Sequence, residues 1–275
     1  MPTERERIHG EVLRRQVVTY VELVDIVRQA KPKLSKKDIQ DIYIEPLVKQ
    51  RKLLRIRRGL FLGIPLGYSD DQIPNFNKFL VAAKFRYGQS ILAYHSALEF
   101  YGCAYNTFDE VFLGVKTKFA PFTVCGIKYR PVFLRKPDLH IKKLTVSNNV
   151  NIRVTSRERT FIDCINQPKY AGGWEESLKS LESLNGIDFK KLLELIDDFS
   201  PSQLLIRKTG YILDLLRDHS MYYEELPQDL LKRLELMVSS SKIYLDRNRR
   251  GGKNVYISRW RLFVPSDFKD NLRGI

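Results

Sequence analysis

Residues 154–165 read VTSRERTFIDCI and bring Ser156, Glu158, Thr160, Asp163 and Cys164 together with two arginines. That is the density of reactive groups expected of an active site. Catalysis there would need a base or a metal to activate a nucleophile, and the chain supplies no obvious partner. It contains no GxxxxGK[ST] loop, because Gly251-Gly252-Lys253 is followed by Asn and lacks the preceding spacing, and no GxGxxG, HExxH or GxSxG. Pro137-Asp138 with Lys142 and Lys143 behind it approximates the start of a nuclease motif. The acid that should precede the lysine is missing, which leaves a metal site short of carboxylates. His95 stands among apolar and small residues without a Cys, an Asp or a second His beside it, the setting of a packed or capping histidine. No catalytic residue, metal or cofactor is expected.

The alternative is a structural task for each polar residue. Thr155-Ser156-Arg157-Glu158 has capping-box spacing, with Thr155 accepting from the Glu158 amide and Glu158 reaching back. Phe161, Ile162 and Ile165 then form an apolar face, Arg159 and Asp163 an i,i+4 pair, and Pro168 ends the helix. On this reading the stretch is a strand-to-helix junction.

The elements around it must fit 275 residues with 43% apolar content, enough for one large domain or two or three small ones. No apolar run approaches the ~18 residues of a spanning helix, and MPTERERIHG has no signal-peptide core, so a soluble cytoplasmic protein is expected. Cys103, Cys125 and Cys164 have no CxxC spacing and read as reduced, buried residues. The net charge of +15 is uneven. Residues 1–68 hold 15 Lys/Arg against 8 Asp/Glu and residues 242–275 hold 9 against 3, while the long middle has 23 against 21. Cations concentrated at two ends of a sequence suit a polyanionic partner.

The first 65 residues parse as three helices and a hairpin. Helix one spans about 4–16, with Ile8, Val12 and Leu13 as its stripe. Helix two follows a capping box at Thr19-x-x-Glu22 and buries Val21, Leu23, Val24 and Val27. Helix three opens at Ser35-x-x-Asp38 with Ile39, Ile42 and Leu47 at core spacing, and Pro46 makes it kink, or end near Ile44 and restart. LLRIRRGLFLGI (53–64) is a hairpin turning at Gly59. This is the order of a winged helix-turn-helix domain over 1–66, which places its third helix in a major groove and its wing on phosphates. A winged fold used only for protein contacts has the same pattern. Helix three is electrically neutral, whereas Arg51, Lys52, Arg55, Arg57 and Arg58 in and before the wing meet no acid. Affinity is therefore expected from these five, with Lys36, Lys37, Gln40 and Tyr43 as groove or base contacts.

Residues 67–77 read as a linker, and 78–275 as an α+β region with a helical second half. FNKFLVAAKFRY and SILAYHSALEFYG are expected as helices, the second stopped by Gly102. EVFLGVK (110–116) and FTVCGIKYRPVFL (122–134) are strand-like, and KLTVSNNVNIRVT (143–155) is a hairpin turning at Asn148-Asn149. Helical segments follow near 156–166, 174–184, 188–199, 201–218 and 228–241. The tail carries Arg247, Arg249, Arg250 and Lys253 around a diglycine, a candidate for additional nucleic-acid contact, before VYISRWRLFV alternates like a strand.

RERTFIDCINQPKYAGGWEE resembles the ERT-hydrophobic-D signature and following P-x-x-x-GG of the AbiEi family of transcriptional regulators, the antitoxins of abortive-infection type IV toxin–antitoxin pairs. RRGLFLGIP resembles that family's wing, ILAYHSALEFYG its following helix and RKTGYILDLL its late R-x-x-G helix. The resemblance spans roughly 35–265 and makes Glu158, Arg159, Thr160, Asp163, Gly172 and Gly173 signature positions of structural role. It implies a repressor of its own operon that binds inverted repeats in double-stranded promoter DNA, as a dimer or cooperatively. It also implies a C-terminal region that neutralises a nucleotidyltransferase toxin without a stable complex, and no cofactor or membrane. A plain winged-helix regulator without a toxin partner, and a metal-dependent DNA-processing enzyme, are the other readings.

Overall fold

Capping chemistry fixes the first elements of the computed structural model, which describes residues 3–69, 72–147, 149–246 and 251–271. Thr3 and Glu6 form a capping box that starts helix α1 (Glu4–Arg15), and strand β1 (Val17–Thr19) follows. Thr19 and Glu22 cap α2 (Tyr20–Ala30), and Ser35 and Asp38 cap α3 (Lys36–Ile39). The chain then widens into a π-helical segment, Gln40–Ile44, before α4 (Glu45–Lys49). Pro46 is the cause: it has no N–H to give the Ile42 carbonyl, and Arg5 Nε donates to that oxygen instead at 3.1 Å. The wider turn also rephases the side chains. Tyr43 and Ile44 rotate into the core, while Ile42, expected there, is 43% exposed. Val21, expected on the buried face of α2, is exposed as well.

β2 (Leu53–Arg57) and β3 (Leu60–Gly63) form the hairpin, with Gly59 at φ 79° and a register shift between Arg55 and Arg57. Three antiparallel strands result in the order β1-β3-β2, packed on a core of Val12, Val18, Leu23, Val27, Ile39 and Leu47.

Residues 65–77 contain neither helix nor strand among those described, and the C-terminal end of the segment is tied down. Gln16 donates to the Asn75 carbonyl and accepts from the Asn77 amide, and Asn77 caps α5 (Lys78–Lys84). A left-handed turn through Arg86, Tyr87 and Gly88 leads to β4 (Ile91–Leu92). SILAYHSALEFYG is therefore strand first and helix second: α6 is only His95–Phe100, ending before Gly102 at φ 72°. β5 (Glu110–Gly114) follows. FTVCGIKYRPVFL folds into two strands, β6 (Phe122–Val124) and β7 (Ile127–Val132), around a two-residue turn in which Cys125 and Gly126 both have positive φ. With β8 (Ile141–Thr145) and β9 (Asn151–Thr155) these make a mixed six-stranded sheet ordered β6-β7-β5-β4-β9-β8. Asn148, half of the expected turn, lies outside the described residues.

The helices that follow are α7 (Arg157–Asn166), α8 (Gly173–Glu182), α9 (Phe189–Phe199), α10 (Gln203–Arg217) and α11 (Gln228–Leu236), the last shorter than expected. β10 (Ile243–Tyr244), β11 (Asn254–Ile257) and β12 (Leu262–Pro265) form a small sheet ordered β10-β12-β11. VYISRWRLFV is thus a hairpin, because Arg261 takes a positive φ and turns the chain over Trp260.

The chain folds as a mixed α+β protein of two compact units. One comprises residues 1–92, 109–134 and 143–154, and the other 93–108, 135–142 and 155–275. The contacts do not divide the chain at 67–77. Instead Lys84 on α5 meets Glu22 on α2 at 2.7 Å, and both groups belong to the first unit. Among the described residues no helix is long and apolar enough to cross a membrane.

Candidate nucleic-acid interface

The basic residues of α3 and the hairpin expected to bind nucleic acid belong to the first unit, those of the tail to the second, and their surroundings sort them. Lys36 and Lys37 are exposed in the first turn of α3, and Arg51 and Arg58 are exposed before and at the hairpin turn. Lys52 is half-buried. Arg55 is reachable too, although its Nη2 lies 2.7 Å from Glu45. An exposed pair of that kind is worth only about 0–1 kcal/mol, so a phosphate can replace the carboxylate.

Three expectations need correction. Tyr43 is 7% exposed and its hydroxyl donates to Glu4 at 2.9 Å, so it is a core residue with no route to a groove. The π segment turned it inward. Gln40 is half-buried and donates to Glu45, which weakens its claim to a base edge. Arg57 lies 4.8 Å over the Phe122 ring and donates to the Ala120 and Pro121 carbonyls, so it clamps the hairpin to the loop before β6 and is not a free phosphate ligand. Of the tail residues Arg247, Arg249 and Arg250 lie outside the described residues, and Lys253 is exposed.

Sequence reasoning missed a second cationic feature of this unit. Arg86 and Tyr87 hold left-handed backbone, φ 51° and 56°, before Gly88 at 75°. Such geometry costs roughly 1–2 kcal/mol for each non-glycine residue. Arg86 is compensated by bonds to the Thr117 and Lys118 carbonyls and by the Phe85 and Phe119 rings. Tyr87 is 74% exposed. Beside this turn opens a cleft of about 630 Å³, lined among others by Thr19, Glu22, Lys84, Lys143, Asn151 and Arg153. Only tertiary pairing of β4 with β9 brings 84–88 near 143–153, so no local signal announces it.

The six positions that resemble the AbiEi signature belong to the second unit, and Glu158, Arg159, Thr160 and Asp163 are buried there. Ser156, not Thr155, is the N-cap of α7, accepting from the Arg159 amide at 3.2 Å. Thr155 Oγ1 instead meets Thr160 Oγ1 at 2.7 Å, and Glu158 is 2% exposed and accepts from the Asp188 amide. The capping box expected at Thr155 and Glu158 does not form, and the cap moves one residue on to Ser156, because β9 keeps Thr155 in its strand. Arg159 is fully buried. Its Nε meets Asp163 at 2.7 Å while its other nitrogens donate to the carbonyls of Arg135, Lys136 and Leu139. Burial pushes the Asp163 carboxyl up to about 6, against the pull of Arg159. A Cβ on Gly172, φ 80°, would strike Glu176 and Phe108. Gly173 has a φ of 91°, so the glycine pair is a backbone requirement. His95 is buried, stacked 3.9 Å from Phe108 and bonded to Glu176 at 3.1 Å, as a packed histidine should be. Cys103 and Cys164 are buried and free, while Cys125 is half-exposed at its turn. Among the described residues no group of three or more His, Cys, Asp or Glu is placed to hold a metal ion.

The architecture is similar to the crystal structure of the RV2827C protein from Mycobacterium tuberculosis, with a TM-score of 0.61 over 96% of this chain and 92% of that one. The two sequences are 15% identical, and at that distance the likeness concerns the fold alone. No protein-family model matches the sequence, and no curated protein does.

Proposed function

We propose that this protein is a DNA-binding repressor of its own operon, with residues 1–66 acting as a winged helix-turn-helix module. The observation that carries the reading is the order α1-β1-α2-α3-α4-β2-β3 around a β1-β3-β2 sheet, with exposed cations at the start of α3 and at the tip of the β2–β3 hairpin. In such a module α3–α4 enters the major groove and the hairpin rests on the backbone. Because α3–α4 is nearly neutral, phosphate contacts by Arg51, Lys52, Arg55 and Arg58 supply most of the affinity, and Lys36 and Lys37 orient the helix.

The resemblance of RERTFIDCINQPKYAGG to the AbiEi signature extends the proposal to an antitoxin paired with a nucleotidyltransferase toxin. The burial of Arg159 and Asp163 and the positive φ of Gly172 and Gly173 supply a physical reason for those residue types to recur together.

Footprinting on the DNA upstream of its own gene tests the repressor. Protection of an inverted repeat supports it, and binding no tighter than to an unrelated fragment at the same salt refutes it. Co-expression with an adjacent nucleotidyltransferase tests the antitoxin half. Restored growth supports that half, and unrelieved toxicity reduces the protein to a plain regulator.

A further inference from the structure

Tyr87 holds a left-handed backbone and exposes 74% of its surface, and among the described residues its side chain makes no hydrogen bond, ion pair or ring contact that accounts for either. Arg86 shares the backbone strain but has two carbonyls and two rings to hold it. A strained, outward-facing aromatic that the fold does not use is a mark of a binding residue. Its position says what it would meet. The Tyr87 hydroxyl lies 3.7 Å from where a Cβ would stand on Gly59, the turn of the basic hairpin, next to exposed Arg58. Tyr87 also lines the 630 Å³ cleft, with Lys84, Lys143 and Arg153 against the single carboxylate of Glu22, which Lys84 already engages at 2.7 Å. Asn151 adds a side-chain amide to the same lining, whereas the Thr19 hydroxyl is already donated to Glu22. The surface running from Arg58 across Tyr87 to Lys143 is therefore cationic, contains a flat ring, and is continuous with the hairpin.

We infer that Tyr87 and Lys143 form a second contact with duplex DNA, packing the phenol ring on a sugar and the ammonium on a phosphate just outside the segment touched by the hairpin tip. The inference rests on the DNA-binding reading and adds to it a footprint longer than a winged module alone would give.

Tyr87→Gly, Tyr87→Phe, Lys143→Gln and Arg58→Ala, measured by fluorescence anisotropy on upstream duplex DNA over a salt series and by thermal melting, test it. Tyr87→Gly should raise Tm, because glycine relieves the backbone, yet weaken DNA binding about fivefold to tenfold. Tyr87→Phe should keep affinity within about twofold, and Lys143→Gln should lower the salt slope by about one. If Tyr87→Gly and Lys143→Gln bind as the wild type does while Arg58→Ala is weakened, the second contact is refuted and the DNA reading survives. If the wild type itself does not bind upstream DNA, both fall together. Should inorganic phosphate raise Tm through Lys143 while DNA binding ignores both substitutions, the cleft serves a free phosphate and the inference is overturned.

Discussion

Arg159 spends every face of its guanidinium on the protein: one carboxylate, three carbonyls, and the Phe199 ring 4.5 Å from its carbon. Removing it leaves Asp163 buried without a counter-charge, so Arg159→Ala should lose about 3–5 kcal/mol in urea unfolding. Arg159→Lys should recover little of this, since an ammonium cannot span the carbonyls of Arg135, Lys136 and Leu139. Asp163 brings a pH signature. Its folded pKa of about 6 lies above the ordinary 3.8, so folding favours the protonated form. That contribution is fully present below 3.8 and is lost as pH rises towards 6, the reverse of a salt-bridged carboxylate with a depressed pKa. The melting temperature of the wild type should thus carry a component that falls between pH 4 and 6, and Asp163→Asn should abolish it; an unchanged pH profile in that variant would contradict the shift.

Among the elements, those closed by local chemistry were legible in the sequence. The boxes at Thr19 and Glu22 and at Ser35 and Asp38 form as their spacing requires, because cap and amide lie within one turn. The α7 cap was off by one residue because Thr155 had two suitable roles and its strand decided between them. Ser156→Ala should therefore cost about 1 kcal/mol, while Thr155→Val leaves the Ser156 cap intact and removes the hydroxyl bond to Thr160. Pro46 announced a break in helix three, but not that a π turn would bury Tyr43 and expose Ile42, since that phase shift depends on Arg5 taking up the Ile42 carbonyl. β4 read as helix because its strand state is imposed by Leu113–Gly114 on one side and Arg153–Val154 on the other, some 20 and 60 residues away. The hairpin over Cys125-Gly126 was hidden because cysteine rarely takes a positive φ. The cationic hairpin and α3 were therefore visible early, whereas Tyr87 and Lys143 could emerge only from tertiary pairing.

At the scale of the whole molecule, the uneven charge makes a prediction that no single residue can. Binding to upstream DNA should weaken steeply with salt, and removing Arg51 and Arg58 together should reduce the slope by about two. Supercoiled plasmid incubated with the protein and Mg²⁺ or Mn²⁺ should remain intact; nicking would revive the DNA-processing alternative. One feature of the helical unit bears on how the molecule is made. Gly210 on α10 leaves a notch for Trp260, whose ring lies 2.2 Å from where a Cβ would stand, and Arg207 donates to the carbonyls of Ser241 and Arg261. A helix begun at residue 203 thus waits for residues around 260 before its notch and its buried cation are satisfied. During synthesis at roughly 5–20 residues per second, α10 spends several seconds with that face open. A nascent chain stalled before Arg259 should be cut by protease within α10, and emergence of Trp260 and Arg261 from the ribosome should close the site.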